Sequence, residues 1–101
     1  MIVGTVSFMV APGKNYEAQE YFQQAVREFK KVTGNEARVL SQLGGPVGHY
    51  LLSAQYDSIA AWDTSRTKLQ ADNGFQKLLV EAGKNGLFIP GTTTSSIWQQ
   101  V

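Results

Sequence analysis

The stretch His49-Tyr50-Leu51-Leu52-Ser53-Ala54-Gln55-Tyr56, opened by Gly48, limits the possible folds more than any other part of the chain. Alternate side chains of a strand point to opposite faces, so Tyr50, Leu52, Ala54 and Tyr56 fall on one side and His49, Leu51, Ser53 and Gln55 on the other. The first set asks for a core. The second, which holds the chain's only histidine, asks for water or a semi-polar cavity. The fold must therefore cover one sheet face with apolar helices and leave the other for a different use.

Residues 2–10 share that period, with Ile2, Val6, Phe8 and Val10 in step. Ala11-Pro12-Gly13-Lys14-Asn15 breaks it, and Asn15 is a good side-chain acceptor for a first helical turn, which predicts a helix from Tyr16. Ala18, Phe22, Ala25, Val26, Phe29 and Val32 then recur at helical spacing, and Gly34-Asn35 supplies a left-handed stop. Residues 36–43 read as a second strand, with Ala37, Val39, Ser41 and Leu43 on one face and Arg38, Leu40 and Gln42 on the other. Gly44-Gly45-Pro46-Val47-Gly48 is a turn by composition, so this strand should return as a hairpin on the one beginning at His49. If Gln42 pairs with His49, Arg38 lands opposite Ser53. Ser58 is placed to cap a second helix in which Ile59, Trp62 and Leu69 share a stripe with the stem of Arg66. Asp72-Asn73-Gly74 interrupts that helix, and Phe75, Leu78, Leu79 and Ala82 resume the period for a further turn or two. Leu87-Phe88-Ile89-Pro90-Gly91 is an apolar connector that should pack down, and residues 92–101 form a last strand.

This order predicts a single α+β domain over residues 1–101, a ferredoxin-like βαββαβ arrangement with a four-stranded antiparallel sheet and two helices on one face. The uncovered face would carry Thr5, Ser7, Met9, Leu51, Ser53 and Gln55 together with Arg38 and Leu40, too apolar for a solvated surface and too polar for a dry core. Two such sheets packed face to face would bury the patch and leave a lined cavity, which predicts a homodimer whose sheets form a barrel around an unknown small molecule.

Composition narrows the partners. Nine basic against eight acidic side chains give a net charge of +1, so neither nucleic acid nor an anionic membrane is expected. No cysteine is present to make a disulfide or a thiolate nucleophile, and one histidine with scattered carboxylates offers no spacing that collects a metal. With no targeting or membrane-spanning pattern, the expectation is a soluble, cytoplasmic protein.

Three segments resemble the dimeric α+β barrel superfamily, and within it the NIPSNAP-like and antibiotic-biosynthesis-monooxygenase-like branches. They are Val10-Ala11-Pro12-Gly13-Lys14 before the first helix, Tyr56-Asp57-Ser58-Ile59-Ala60-Ala61-Trp62 opening the second, and Ala71-Asp72-Asn73-Gly74-Phe75-Gln76 within it. None is a catalytic motif, and each has a structural explanation as connector, cap or buried aromatic. The resemblance implies the fold and dimerisation. It leaves open cofactor-independent oxidation, isomerisation or cyclisation, haem degradation, or no reaction at all. Haem-degrading relatives imply an Asn-Trp-His set. Here Trp62, Trp98 and His49 are present, but the first strand carries Ser7 and Met9 and no Asn, so no haem or other cofactor is expected.

His49 is the candidate base, because only histidine changes charge near neutral pH, although a lone histidine just after a glycine turn is more often a partly exposed strand-end residue. Arg38 could meet a ligand carboxylate or enolate, or simply remain solvated on an edge strand. Without a hydrolase elbow, Ser7 and Ser53 are hydrogen-bonding liners, with Gln55 beside them and Met9 and Leu51 as the apolar wall. Tyr16, Tyr21, Tyr50 and Tyr56 could offer phenolic donors, though Tyr50 and Tyr56 lie on the core side. Two functions stay open: cofactor-independent chemistry on an aromatic or polyketide-like compound, or a non-catalytic dimeric module that binds a ligand or another protein.

Overall fold

A computed structural model describes residues 1–101. Its elements are β1 (Ile2–Met9), α1 (Asn15–Thr33), β2 (Ala37–Ser41), β3 (His49–Tyr56), α2 (Ile59–Ala71), α3 (Asn73–Lys84) and β4 (Thr94–Gln99). The strands form one four-stranded sheet in the order β2-β3-β1-β4, every pair antiparallel. This is the ferredoxin-like α+β architecture expected from the alternation of elements.

The helices cover the face predicted for them. Phe8 and Val10 of the first-strand segment are buried with Ala18, Tyr21 and Phe22 of α1, Ala82 of α3 and Leu87. Val6, Tyr50, Leu52, Leu78 and Phe88 pack around them. A second, smaller cluster joins Ile2, Ala54 and Tyr56 to Phe29 and Trp62. The connector packs down as expected: Val10 and Phe88 form an antiparallel bridge, and Ile89 N–H donates to Met9 C=O at 2.8 Å. Gly34 closes α1 in the left-handed region at φ 77°, its N–H donating to Lys30 C=O. Beyond this turn Lys30 Nζ reaches Glu36 at 2.8 Å, and that hydrogen bond holds the Glu36 carboxyl below the usual carboxylate range.

Four details differ from the sequence expectation. Asn15 is the first residue of α1 and not its cap; Lys14 stands at the cap position with no side-chain hydrogen bond. The segment after Asp72 is a full helix of 12 residues, because Asp72 both ends α2 and, through its carboxylate accepting Phe75 N–H at 2.8 Å, starts α3. Tyr21, offered as a phenolic donor, is a core residue of α1. On α2, Ile59 is solvent-exposed, and the small Ser65 is the buried residue of that helix. Ser58 does cap α2, accepting Ala61 N–H at 3.1 Å. Trp62 lies over the backbone of Gly4, where a Cβ would come within 3.2 Å of the indole, and Arg66 covers the ring with its guanidinium 5.2 Å from the centroid.

Ser65 Oγ is buried without a hydrogen-bond partner. Ser65→Ala removes that unsatisfied group and adds helix propensity, so the variant should be more stable by about 1 kcal/mol in denaturant unfolding. An unchanged or lowered midpoint would mean that the hydroxyl is satisfied in solution.

Candidate functional site on the open sheet face

The register arranges the uncovered face in rows. Gln42, His49 and Met9 make the first; its β2 side extends one residue past the strand, with Gln42 N–H donating to His49 C=O at 3.0 Å. Leu40, Leu51, Ser7 and Thr94 make the second, and Arg38, Ser53, Thr5 and Ser96 the third. Gln55, Val3 and Trp98 complete the face. All seven residues singled out as base or ligand contacts, His49, Arg38, Ser7, Ser53, Gln55, Met9 and Leu51, thus share one surface. The anticipated pairing of Arg38 with Ser53 is the observed one.

They are not gathered at one point. His49 and Ser7 are diagonal neighbours across the β3–β1 pair and their side chains meet, Nε2 against Oγ. On the other side Nδ1 meets Oε1 of Gln42. Because an amide oxygen only accepts, Nδ1 must carry the proton, and in the neutral ring Nε2 is then the acceptor of the Ser7 hydroxyl. Arg38 stands one row beyond Ser7 and two beyond His49, exposed and outside all three salt bridges of the chain. Gln55 lies a further row off.

Gln42 was legible as the residue opposite His49 but not as its hydrogen-bond partner. Its side chain lies against the turn: a Cβ built on Gly45, at φ 105°, would collide with the Gln42 amide nitrogen and would have to displace it. The glycine-rich turn therefore closes on the group that orients the histidine.

Large apolar side chains punctuate the face. Leu40 is 50% exposed and Trp98 62%. No helix packs on β4, so Ile97, on its opposite side, is also uncovered at 44%. Two grooves on the helix side are separate features. One of about 270 Å³ lies between α1 and β2–β3 and is lined by Gln19, Phe22, Gln23, Val39, Ser41 and Tyr50, and one of about 210 Å³ lies between α1 and α3.

No set of three His, Asp or Glu side chains is placed to hold a metal ion. The donor set does not fit haem either. Nε2 of His49 is engaged by Ser7, Trp62 sits on the helix side against Gly4, and Trp98 pairs with Val3, six residues along β1 from the His49 partner Met9. At the rise of a strand that is about 20 Å.

A sheet of this order with helices on one face and a mixed polar and apolar surface on the other defines a ferredoxin-like domain with an unfilled open face. Neither a family model nor a curated protein matches the chain by sequence. Solved structures do match it by shape. An uncharacterized NIPSNAP domain protein from Burkholderia xenovorans superposes with a TM-score of 0.81 at 16% identity, over 100% of this chain and 95% of that one. A NIPSNAP family protein from Agrobacterium tumefaciens gives 0.80 at 18% identity, over 99% and 92%. A protein described as an antibiotic biosynthesis monooxygenase gives 0.72 at 14% identity, over 100% and 99%. The chain therefore has the fold of the NIPSNAP and antibiotic-biosynthesis-monooxygenase structures. No helix is long and apolar enough to cross a membrane.

Proposed function

We propose that the protein is a dimeric α+β barrel that binds a small molecule between the open faces of two copies. The observation that carries this reading is the composition of the face. Met9, Leu40, Leu51 and Trp98 are interleaved with Ser7, Ser53, Thr5, Arg38 and His49, so a second sheet would bury apolar area while leaving polar groups directed at an occupant. The exposure of Ile97 and Trp98 on both sides of the edge strand β4 adds an apolar, unpaired border for a second copy to cover. On this reading the occupant is an aromatic or polyketide-like compound and the chemistry a cofactor-independent oxidation, isomerisation or cyclisation; of these, oxidation is the one that the likeness to a protein described as an antibiotic biosynthesis monooxygenase supports. His49 acts as the base, Arg38 and Gln55 as polar contacts, and Met9 and Leu51 as the wall.

Native mass spectrometry of freshly purified protein tests this directly. The expected spectrum is a dimer, and Leu51→Asp, which sets a charge in the middle of the face, should shift it to folded monomer. Extra mass retained by the dimer would identify the occupant's class. A dimer that never retains or binds a small molecule supports a non-catalytic module instead, and a monomer at micromolar concentration overturns the chamber.

A further inference from the structure

Resting on that reading, we infer that Ser7, His49 and Gln42 form a neutral proton relay whose ligand-facing end is the Ser7 hydroxyl, built to accept a proton from a weakly acidic O–H such as a phenol or enol. Both ring nitrogens of His49 are occupied within the protein, Nε2 by Ser7 and Nδ1 by Gln42, so a ligand has no free imidazole nitrogen to approach. Ser7 is the member that can take a proton from a ligand and pass its own on: its hydroxyl donates to Nε2 and its oxygen keeps lone pairs for a ligand hydroxyl, whereas Gln42 Oε1 only accepts.

The step balances without any further reactant. The ligand O–H proton moves to Ser7 Oγ as the Ser7 proton moves to His49 Nε2, leaving an oxyanion on the ligand and an imidazolium on the protein. Gln42 Oε1 accepts from Nδ1–H in both states, so the tautomer that leaves Nε2 basic is already selected. The arrangement resembles a nucleophile, base and orienting group in order, yet it does not suit acyl transfer. Ser7 lies on β1, which is flanked by β3 and β4, and it is in register with Leu51 on one side and Thr94 on the other. Backbone N–H groups around it are committed to the ladder, and no pair of free donors is left to hold a tetrahedral oxyanion. A proton can pass along this chain of bonds where an acyl group would find no support.

Gln42 is thus a positioning residue, acting through His49, and the amide is what sets it apart. A carboxylate there would stabilise the imidazolium and make the base stronger. Two readouts test the relay. The first needs no ligand: the side-chain nitrogen NMR signals of His49 should report the Nδ1–H tautomer in the parent protein, lose that preference in Gln42→Leu, and move to a higher titration midpoint in Gln42→Glu.

The second uses para-nitrophenol, whose anion is coloured, added to the dimer at a pH below its own ionisation. Bound probe should show the anion band in the parent protein, more of it in Gln42→Glu, and at least tenfold less in Ser7→Ala and His49→Gln, with binding kept in all. An Nε2–H tautomer, or equal ionisation in parent and Ser7→Ala, overturns the relay while leaving the chamber intact. A dimer that fails to bind the phenol overturns the proposed ligand class. Loss of the dimer itself is the separate failure of the chamber, and it is read by mass before the probe is added.

Discussion

Replacing Phe22 by alanine should cost about 3–5 kcal/mol of folding stability, the range found when a large buried aromatic is truncated in a packed core. Phe22 is the only large side chain that is essentially sealed, at 1% exposure. Its ring lies 5.6 Å from Phe8, 5.2 Å from Tyr50, 5.7 Å from Phe88 and 5.7 Å from Tyr21, so it is the common neighbour of an aromatic group drawn from β1, β3, α1 and the 87–91 connector. Truncation would leave all four rings facing a void that none can fill, since Phe8, Tyr50 and Tyr21 are fixed by their strand or helix and Phe88 by its bridge to Val10. Only 12 of 101 residues are buried, which leaves little other core to compensate. A domain of this size is stable by only about 5–15 kcal/mol, so the variant should be largely unfolded on mild heating or in low denaturant. The measurement is a urea or thermal melt followed by far-ultraviolet circular dichroism. A loss below about 1 kcal/mol would mean that the aromatic group repacks around the gap and is not the keystone of this core.

That the core lay on the Phe8 and Leu52 side was readable from the sequence because strand periodicity is two: once one residue is assigned, its whole face follows. The same arithmetic put Arg38 opposite Ser53 and collected the candidate site on one surface. Helices gave less. In α1 the stripe was correct but omitted Tyr21, because a tyrosine can satisfy either a core or a surface position and periodicity alone does not choose. In α2 the apolar residues are few, and the close approach of the helix is set by Trp62 lying on Gly4 and by the small Ser65. Ile59, one turn before Trp62, is therefore left outside. The hydrogen bonds of His49 were out of reach for a different reason. Pairing register says that Gln42 is opposite, but whether its amide turns toward the imidazole depends on rotamers and on the collision that a side chain at Gly45 would cause, neither of which has a sequence period.

Tyr21 gives the second large effect, in alkali. It is 7% exposed, packed edge-on against Phe88 with centroids 5.5 Å apart, and burial pushes its phenol from 10.0 up to about 12. The raised value fixes the sign: below the unfolded value both states keep the proton and the native state loses nothing. Between pH 10.0 and about 12 the unfolded chain releases a proton that the native protein retains, so stability falls as pH rises through that window. By its upper end the loss attributable to this one group should approach about 2–3 kcal/mol. Lysines also titrate there, which is why the informative comparison is with Tyr21→Phe, a variant that keeps the ring in place and removes only the ionisation. Unfolding free energies of the two proteins should differ little at neutral pH and diverge progressively in alkali, with Tyr21→Phe the more resistant. Parallel curves across the window would mean that the Tyr21 hydroxyl reaches solvent through the α1–α3 groove that it lines and ionises as freely in the folded protein as in the unfolded chain.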